Sequence, residues 1–357
     1  TDQTVAANSV IVVCGDKSKV VSNSDMWETS TNYQTYQTQT TGFDGEGQIT
    51  SAITYVTSEN NPKVYWVTGH GEASESDLST NFSDAVNKNN VEISDLALMT
   101  DDIPEDAEEL VIMSPTTDFS EDEANKVITY LENGGKLLMF TSYTGTDMPN
   151  LDSILENYGV KRSSGIVVET DSQHYYPQMP YYLLPNIQSD DITTEVKSNY
   201  ILMPVAQAIQ KLDSYRDTIT IKSLLTTTED AYIENDPENS TWSKSADSET
   251  GAFDLGVSIT ETVDDKETQI IYFSSASMLS SQIDQAISGA NSKLAATALT
   301  SMCDVEQTVV IPSKSTSYTN LVFTQGAVNT WSIITIAGIP LVLVVIGVMI
   351  WMKRRKQ

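Results

Sequence analysis

Leu110-Val111-Ile112-Met113-Ser114-Pro115-Thr116-Thr117-Asp118-Phe119-Ser120-Glu121-Asp122-Glu123-Ala124-Asn125-Lys126-Val127-Ile128-Thr129-Tyr130-Leu131-Glu132-Asn133-Gly134-Gly135-Lys136-Leu137-Leu138-Met139-Phe140 changes its hydrophobic period twice, and those changes decide the fold class. Leu110 to Met113 is an unbroken apolar run, the pattern of a strand buried on both faces. Ser120 and Glu123 then match a capping box, in which a hydroxyl and a carboxylate three residues apart satisfy backbone amides at a helix start. Ala124, Val127, Ile128 and Leu131 follow at helical spacing, so one face of that helix is apolar. Gly134 predicts its end, because glycine enters the left-handed conformation that closes many helices. Lys136 to Phe140 is a second continuous apolar strand. A strand, a covering helix and a strand make the repeating unit of a parallel sheet.

The same alternation extends outward. Val64-Tyr65-Trp66-Val67 reads as a strand. Ser74 and Asp77 resemble another capping box, for a helix that turns Leu78, Phe82, Ala85 and Val86 inward. Val91 to Leu96 is the next strand. Asn150 is placed to cap a helix with Leu151, Ile154, Leu155 and Tyr158 inward and Gly159 at its end. Toward the N-terminus, residues 9–13 form a strand with Lys19-Val20-Val21 pairing back onto it. The Thr/Gln/Tyr-rich tract 29–41 reads as an exposed loop or extended arm, and Ile49, Ala52, Ile53 and Val56 mark a short helix.

Beyond residue 160 the pattern weakens. Residues 160–200, rich in Tyr, Pro and Ser, read as irregular. Leu202, Val205, Ile209 and Leu212 predict a helix over 202–213. Residues 219–228 and 254–260 read as strands flanking a polar excursion at 229–251. Gln269 to Phe273 reads as a return to the sheet. Leu294, Ala295, Ala298, Leu299 and Met302 predict a late helix, and Val305 to Ile311 a last strand. The fold class that follows is α/β, a mostly parallel sheet with helices on both faces.

From Trp331 to Trp351 the chain carries no charge, and Lys353-Arg354-Arg355-Lys356 follows. As a helix this span is roughly 30 Å long, the thickness of a bilayer's hydrocarbon core. The flanking tryptophans suit the two interfaces, and the basic cluster predicts the cytoplasmic end. Everything before Trp331 is then expected outside the cell. Pro340 lies mid-helix, which membrane helices tolerate when neighbours satisfy the freed carbonyl. The Leu-Pro-x-Thr-Gly sequence of a cleaved wall anchor is not matched at Ile311-Pro312-Ser313-Lys314-Ser315.

The 357 residues carry 20 Lys and Arg against 49 Asp and Glu, a net charge of −29. With the four cationic tail residues set aside, 16 cations face the same 49 acids, a net of −33. Such a domain repels nucleic acid and anionic headgroups, so no nucleic-acid partner is expected. The two cysteines, Cys14 and Cys303, sit in apolar surroundings and read as two buried thiols, with a single bridge as the alternative. The chain starts at Thr1 without a signal peptide, and a hydrophobic export segment is expected to have preceded it.

Four stretches carry a family resemblance. They are Phe43-Asp44-Gly45-Glu46-Gly47-Gln48-Ile49-Thr50-Ser51-Ala52-Ile53 leading into Lys63-Val64-Tyr65-Trp66-Val67-Thr68-Gly69-His70-Gly71-Glu72; Leu110 to Pro115 with Asp118-Phe119-Ser120; Tyr130 to Leu138 around Gly134-Gly135-Lys136; and Asn291 to Leu299 with the terminal helix and basic tail. Together they resemble the GldG-like family of ABC-transporter accessory proteins, first associated with bacterial gliding motility. The resemblance implies an extracytoplasmic domain with an amidotransferase-like, Rossmann-like sheet, similar to a domain of an intraflagellar-transport protein. It also implies a membrane helix at each end, of which this sequence shows only the second, and ABC permease and ABC ATPase subunits as partners.

His70 is the histidine that sits in a motif. It follows a buried strand, at the carboxyl edge where α/β sheets place ligands. A ligand or partner site made of Glu46, Gly69, His70, Gly71 and Glu72 is one reading. A strand-exit turn whose His70 and Glu72 bond neighbouring backbone is the other. His174 has no ligand spacing around it, so no metal is expected, nor any cofactor. An amidotransferase-like nucleophile would fall near Ser114-Pro115-Thr116, where proline does not suit the turn. No phosphate-binding G-x-x-x-x-G-K-[ST] occurs, so the chain is not the ATPase. Tyr175, Tyr176, Tyr181 and Tyr182 suggest either a carbohydrate- or partner-binding face or packing under a long loop.

The expected organisation is an N-terminal strand and polar arm over 1–60, an α/β core over 61–160, and a second part of the ectodomain over 161–312. A juxtamembrane linker over 313–330, a transmembrane helix over 331–352 and a cytoplasmic tail over 353–357 complete it. The expected function is that of a non-catalytic accessory subunit of an ABC transporter, anchored in bacterial membrane lipid by the C-terminal helix. An extracytoplasmic enzyme and a free-standing receptor or adhesin are the alternatives.

Overall fold

The chain opens with an antiparallel hairpin, β1 (Val10–Cys14) and β2 (Lys17–Val21), in register from Val10↔Val21 to Cys14↔Lys17. The computed structural model describes residues 5–32, 37–58, 61–238, 241–303, 311, 314–315 and 323–355. A second hairpin, β3 (Trp27–Asn32) and β4 (Gln37–Phe43), occupies most of the tract 29–41. Residues 29–32 and 37–41 are therefore paired strand, which overturns the loop and keeps the extended arm, because the ladder supplies their backbone bonds. Helix α1 (Gly45–Thr57) buries Ala52 and Val56 but leaves Ile53 48% exposed, so its apolar stripe is narrower than the spacing suggested. Cys14 is exposed and Cys303 buried, both as free thiols. The expectation of two buried thiols fails at Cys14 because β1 is the open edge of a two-stranded sheet.

The middle of the chain follows the alternation closely: β5 (Lys63–Val67), α2 (Thr80–Lys88), β6 (Glu92–Leu96), β7 (Glu109–Met113), α3 (Glu121–Glu132), β8 (Lys136–Phe140) and α4 (Pro149–Asn157). Two helix starts differ from the sequence reading. The Ser74/Asp77 capping box closes a single turn at Glu75–Asp77, and α2 starts later, with the Ser79 hydroxyl accepting the Asn81 amide. Ser79 is fixed there by tertiary bonds: its amide donates to Leu279 O and its hydroxyl to the buried carboxylate of Asp284. Helix α4 begins at Pro149, and Asn150 is not its cap. Asp118, from the loop after β7, accepts the amides of Asn150 and Leu151 at 3.2 and 3.0 Å and so caps the helix from outside it.

The second half contributes β9 (Val160–Val168), β10 (Tyr175–Tyr176), β11 (Met179–Leu183), β12 (Asn186–Ile187), β13 (Met203–Pro204), β14 (Gln207–Lys211), β15 (Ile219–Thr226), β16 (Tyr232–Glu234), β17 (Asp254–Val263) and β18 (Lys266–Phe273). Helices α5 (Ser281–Ala286) and α6 (Ala290–Met302) and a short strand β19 (Lys314–Ser315) follow. The helix expected over 202–213 is instead two strands in different sheets, β13 beside β11 and β14 in the large sheet. Pro204 and the left-handed Val205 (φ 54°) break any helix there, and Gln207 to Lys211 ladder against β9. Residues 160–168, read as irregular, are the long strand β9. The strand expected at Val305 to Ile311 lies outside the described residues except for Ile311, which is in no element.

One mixed sheet of 11 strands organises the molecule. Five neighbouring strands, in the order β6-β5-β7-β8-β18, run parallel. Numbered by sequence this is 2-1-3-4-5, a doubly wound order that reverses between β5 and β7. Antiparallel strands β17, β15, β12, β14, β9 and β16 extend the sheet beyond β18. Val111, Leu138 and Ile271 face α2 and α6 on one side, while Leu110, Leu137 and Ile270 face α3 and α4 on the other. Both faces of these strands are covered, which is why they read as continuous apolar runs.

Gln325–Arg355 is one continuous helix long and apolar enough to cross a membrane, with none of its apolar stretch buried in the protein. It consists of α7 (Gln325–Ile333), a wide π-turn (Ile334–Gly338) and α8 (Ile339–Arg355). Pro340 has no amide to offer the Ile336 carbonyl, and the turn widens just ahead of it, where the ladder lacks that bond.

Candidate functional site

The site is built where β5 leaves the sheet. Thr68 still donates to Leu96 O at 2.9 Å, and the chain then turns at Gly69 (φ 124°) and Gly71 (φ 75°). A Cβ on Gly71 would lie 2.1 Å from Thr116 Oγ1, so both conformation and space require glycine there. The buried Trp66 holds the turn from below, its indole N–H donating to Ala73 O at 2.9 Å.

His70 joins this turn to the loop after β7. Its carbonyl accepts the amides of Thr116 and Thr117 at 2.9 and 3.1 Å, and both threonine hydroxyls at 3.2 Å. Its ring is buried, 4.2 Å from the Phe119 ring between centroids. Nδ1 lies 3.2 Å from Glu72 Oε1 and Nε2 lies 3.3 Å from Glu123 Oε2. A neutral imidazole has one N–H and the imidazolium has two, so only the cation donates to both carboxylates. Glu72 Oε2 also accepts the His70 amide at 2.7 Å.

Glu123 has two duties. It is the capping-box acid of α3, accepting the Ser120 amide at 2.9 Å and hydroxyl at 2.7 Å, and it closes the far side of the imidazole. Burial pushes its carboxyl up, but the Ser120 bonds and the nearby His70 outweigh that, leaving it below the usual carboxylate range. The two acids approach opposite edges of the ring and do not converge on one point. Among the described residues no group of three or more His, Cys, Asp or Glu is arranged to hold a metal ion.

This edge is the point where the strand order reverses, the place where doubly wound sheets leave a crevice. Ser114, the first residue after β7, holds a left-handed backbone (φ 55°), and its hydroxyl donates to Ser142 Oγ at 2.8 Å. The structure thus brings together Gly69, His70, Gly71 and Glu72, with Ser114 and Thr116 beside them. Glu46 sits apart in the first turn of α1, its exposed carboxylate 3.4 Å from Lys314 Nζ. The Glu123 contact is new: its capping-box spacing was readable, but its reach to His70 has no signal in the sequence. A groove of about 900 Å³ along α3, lined by Asp102, Glu105, Asp122, Lys126 and Tyr130, does not include the His70 turn. In the tyrosine-rich segment, Tyr181 packs on Tyr182 at 5.4 Å and on Trp242 at 4.4 Å.

Three solved structures are similar to the chain at low identity. The chain is similar to an IFT52 N-terminal domain at 15% identity, covering 67% of this chain and 96% of that one with a TM-score of 0.49. An exo-β-1,4-mannosidase from Opitutaceae bacterium strain TAV5 aligns at 10% identity over 71% of this chain and 37% of the other, TM-score 0.34. A ThuA-like protein from Parabacteroides merdae aligns at 12% identity over 72% and 98%, TM-score 0.35. With TM-scores below 0.5, none of the three carries a functional assignment. No curated protein sequence matches the chain. The family model described as an ABC-type uncharacterized transport system matches residues 61–301, from just before β5 to the end of α6. That match spans well over half of the chain and the whole of the parallel sheet, and the chain belongs to this auxiliary family of ABC-type transport systems.

Proposed function

We propose that the chain is a membrane-anchored, non-catalytic accessory subunit of an ABC transporter, of the GldG-like kind its sequence resembles. Helix Gln325–Arg355 crosses the bilayer with its Lys/Arg end in the cytoplasm, following the positive-inside rule. The acidic α/β domain stands outside and binds a partner protein or substrate along the edge around Gly69–Glu72. An ABC permease packs beside the helix, and an ABC ATPase completes the complex.

The observation that carries this reading is the membrane-length helix on a domain of the ABC auxiliary family. The non-catalytic part is supported by the burial of the His70 ring and by the carboxylates facing both of its nitrogens, which leave neither edge open to a substrate. Co-purification in mild detergent tests the reading. A permease and an ATPase are expected to follow the tagged chain, and recovery of the chain alone from a strain that expresses all three would overturn it.

One observation favours a second reading, an extracytoplasmic enzyme on an amidotransferase-like fold. Ser114 holds a strained backbone at the mouth of a central strand, as the nucleophile of a strand-to-helix elbow does. Its hydroxyl faces Ser142 and not a base. Ser114→Ala separates the two: transport by the complex is unchanged for an accessory subunit and abolished if Ser114 is a nucleophile.

A further inference from the structure

We infer that the tip of the β10–β11 hairpin is a second lipid contact, a foot that rests against zwitterionic headgroups beside the membrane helix. The inference depends on the membrane-anchored reading above and adds a surface to it.

The helix leaves the domain already fastened to this hairpin. Thr324 caps the helix by accepting the Ala327 amide at 3.1 Å, and its hydroxyl donates to Gln173 Oε1 at 3.0 Å. The Gly326 amide donates to Ser172 O at 2.7 Å, and the Gln178 amide donates to Gln325 Oε1 at 2.9 Å. A Cβ on Gly326 would fall 1.5 Å from Gln173 Nε2, so the helix and the segment before the hairpin meet backbone to side chain. Residues 172 and 178 therefore flank the first helical turn.

Tyr176 and Met179 pair across the hairpin, with Pro177-Gln178 as its turn. They are 36% and 38% exposed, and Phe323, just ahead of the helix, is 49% exposed. Trp331, at the interface, lies six positions after Gln325, a rise of about 9 Å. A headgroup layer is roughly 5–8 Å deep on each side of the hydrocarbon. The hairpin tip thus lies at the outer boundary of that layer. Tyrosine, with an apolar ring and a polar end, suits this depth, and methionine adapts to an irregular apolar surface.

Charge chooses among lipids. No Lys or Arg occurs from residue 163 to residue 196, while Glu169 and Asp171 lie within that span. Anionic headgroups attract basic segments and repel acidic ones, so the foot fits zwitterionic lipid. A foot beside the helix would also stop the domain from tilting freely about its anchor.

The test uses the full chain in phosphatidylcholine nanodiscs, with Cys14→Ser as background. Single cysteines carry an environment-sensitive fluorophore at Met179→Cys, Val344→Cys and Asp264→Cys, with Tyr176→Cys as a second tip position. Asp264 lies in the β17–β18 turn. That turn is at the far end of β18 from Ser275, which donates to Pro204 O close to β11. A nitroxide on the lipid headgroup is expected to quench the 179 and 176 probes several-fold more than the 264 probe, and replacing half the lipid by phosphatidylglycerol to weaken that quenching. Equal quenching at 179, 176 and 264 would overturn the foot, as would protection of 179 that needs added permease. The Val344 probe reports separately: if an acyl-chain nitroxide fails to quench it, the membrane-anchored reading itself fails.

Discussion

Replacing His70 by alanine tests the centre of the candidate site most directly. The substitution removes the ring and leaves the turn: the His70 amide can still donate to Glu72, and its carbonyl still accepts from Thr116 and Thr117. What remains is a cavity between two carboxylates whose side chains are only 2% and 4% exposed. Leaving a buried acceptor without its partner costs about 1–3 kcal/mol, and the substitution strips the ring from two buried carboxylates. The lost packing on Phe119 adds roughly 0.5–1.5 kcal/mol, part of which water entry into the cavity offsets. For a domain of this size each kcal/mol moves the melting midpoint by about 2–4 °C, so a drop on the order of 10 °C is expected at neutral pH. The assay is thermal unfolding of the detergent-solubilised full chain, followed by near-ultraviolet circular dichroism. Adding Glu123→Gln to His70→Ala should recover part of the loss, since it removes one orphaned charge. A single substitution that leaves the midpoint within a degree or two, or a double variant less stable than the sum of its parts, would refute the reasoning.

Two further outcomes follow from the same geometry. Gly71→Ala is expected to cost about 2–3 kcal/mol by chemical denaturation, from about 1–2 for a left-handed non-glycine backbone and the rest from displacing the Thr116 hydroxyl from His70 O. Glu109 is fully buried, and burial holds its carboxyl well above the ordinary value, with the Cys303 thiol and Lys136 only partly opposing. The folded chain keeps that proton where the unfolded chain has lost it. The associated stability is fullest below the ordinary carboxylate pKa and declines as pH rises toward the folded value. Glu109→Gln should therefore raise the melting midpoint more at about pH 8 than at about pH 5, and an advantage that shrinks with rising pH would contradict the assignment.

The parallel core was legible because its strands are buried on both faces. Leu110 to Met113 and Leu137 to Phe140 needed no knowledge of their neighbours, only that no side chain among them faces water. The capping box at Ser120/Glu123 was equally local, since its bonds lie within four residues. Local chemistry misled where a distant partner decided the outcome. Ser74/Asp77 forms its box but does not start α2, because Ser79 is held by Asp284 and Leu279 from the far end of the chain. Leu202, Val205, Ile209 and Leu212 fit a helical period, yet β9 offers a ladder edge that Gln207 to Lys211 take instead.

The candidate site divides the same way. The glycines flanking His70 announced a turn after a buried strand, since only that conformation explains two glycines around one polar residue. Nothing near His70 in sequence announced Glu123, which is 53 residues away and reaches the ring because β5 and β7 are neighbours.

By itself the sequence determined the alternation of strands and helices and the uncharged C-terminal rod, because hydrophobic period records which solvent each residue meets, whether core, water or lipid. Tertiary structure alone decided strand order, the carboxylates that clamp His70, the exposure of Cys14 and the seating of the terminal helix on Ser172 and Gln178. Those depend on partners brought together across tens or hundreds of residues, and a periodic pattern reports how buried a residue is without naming what buries it.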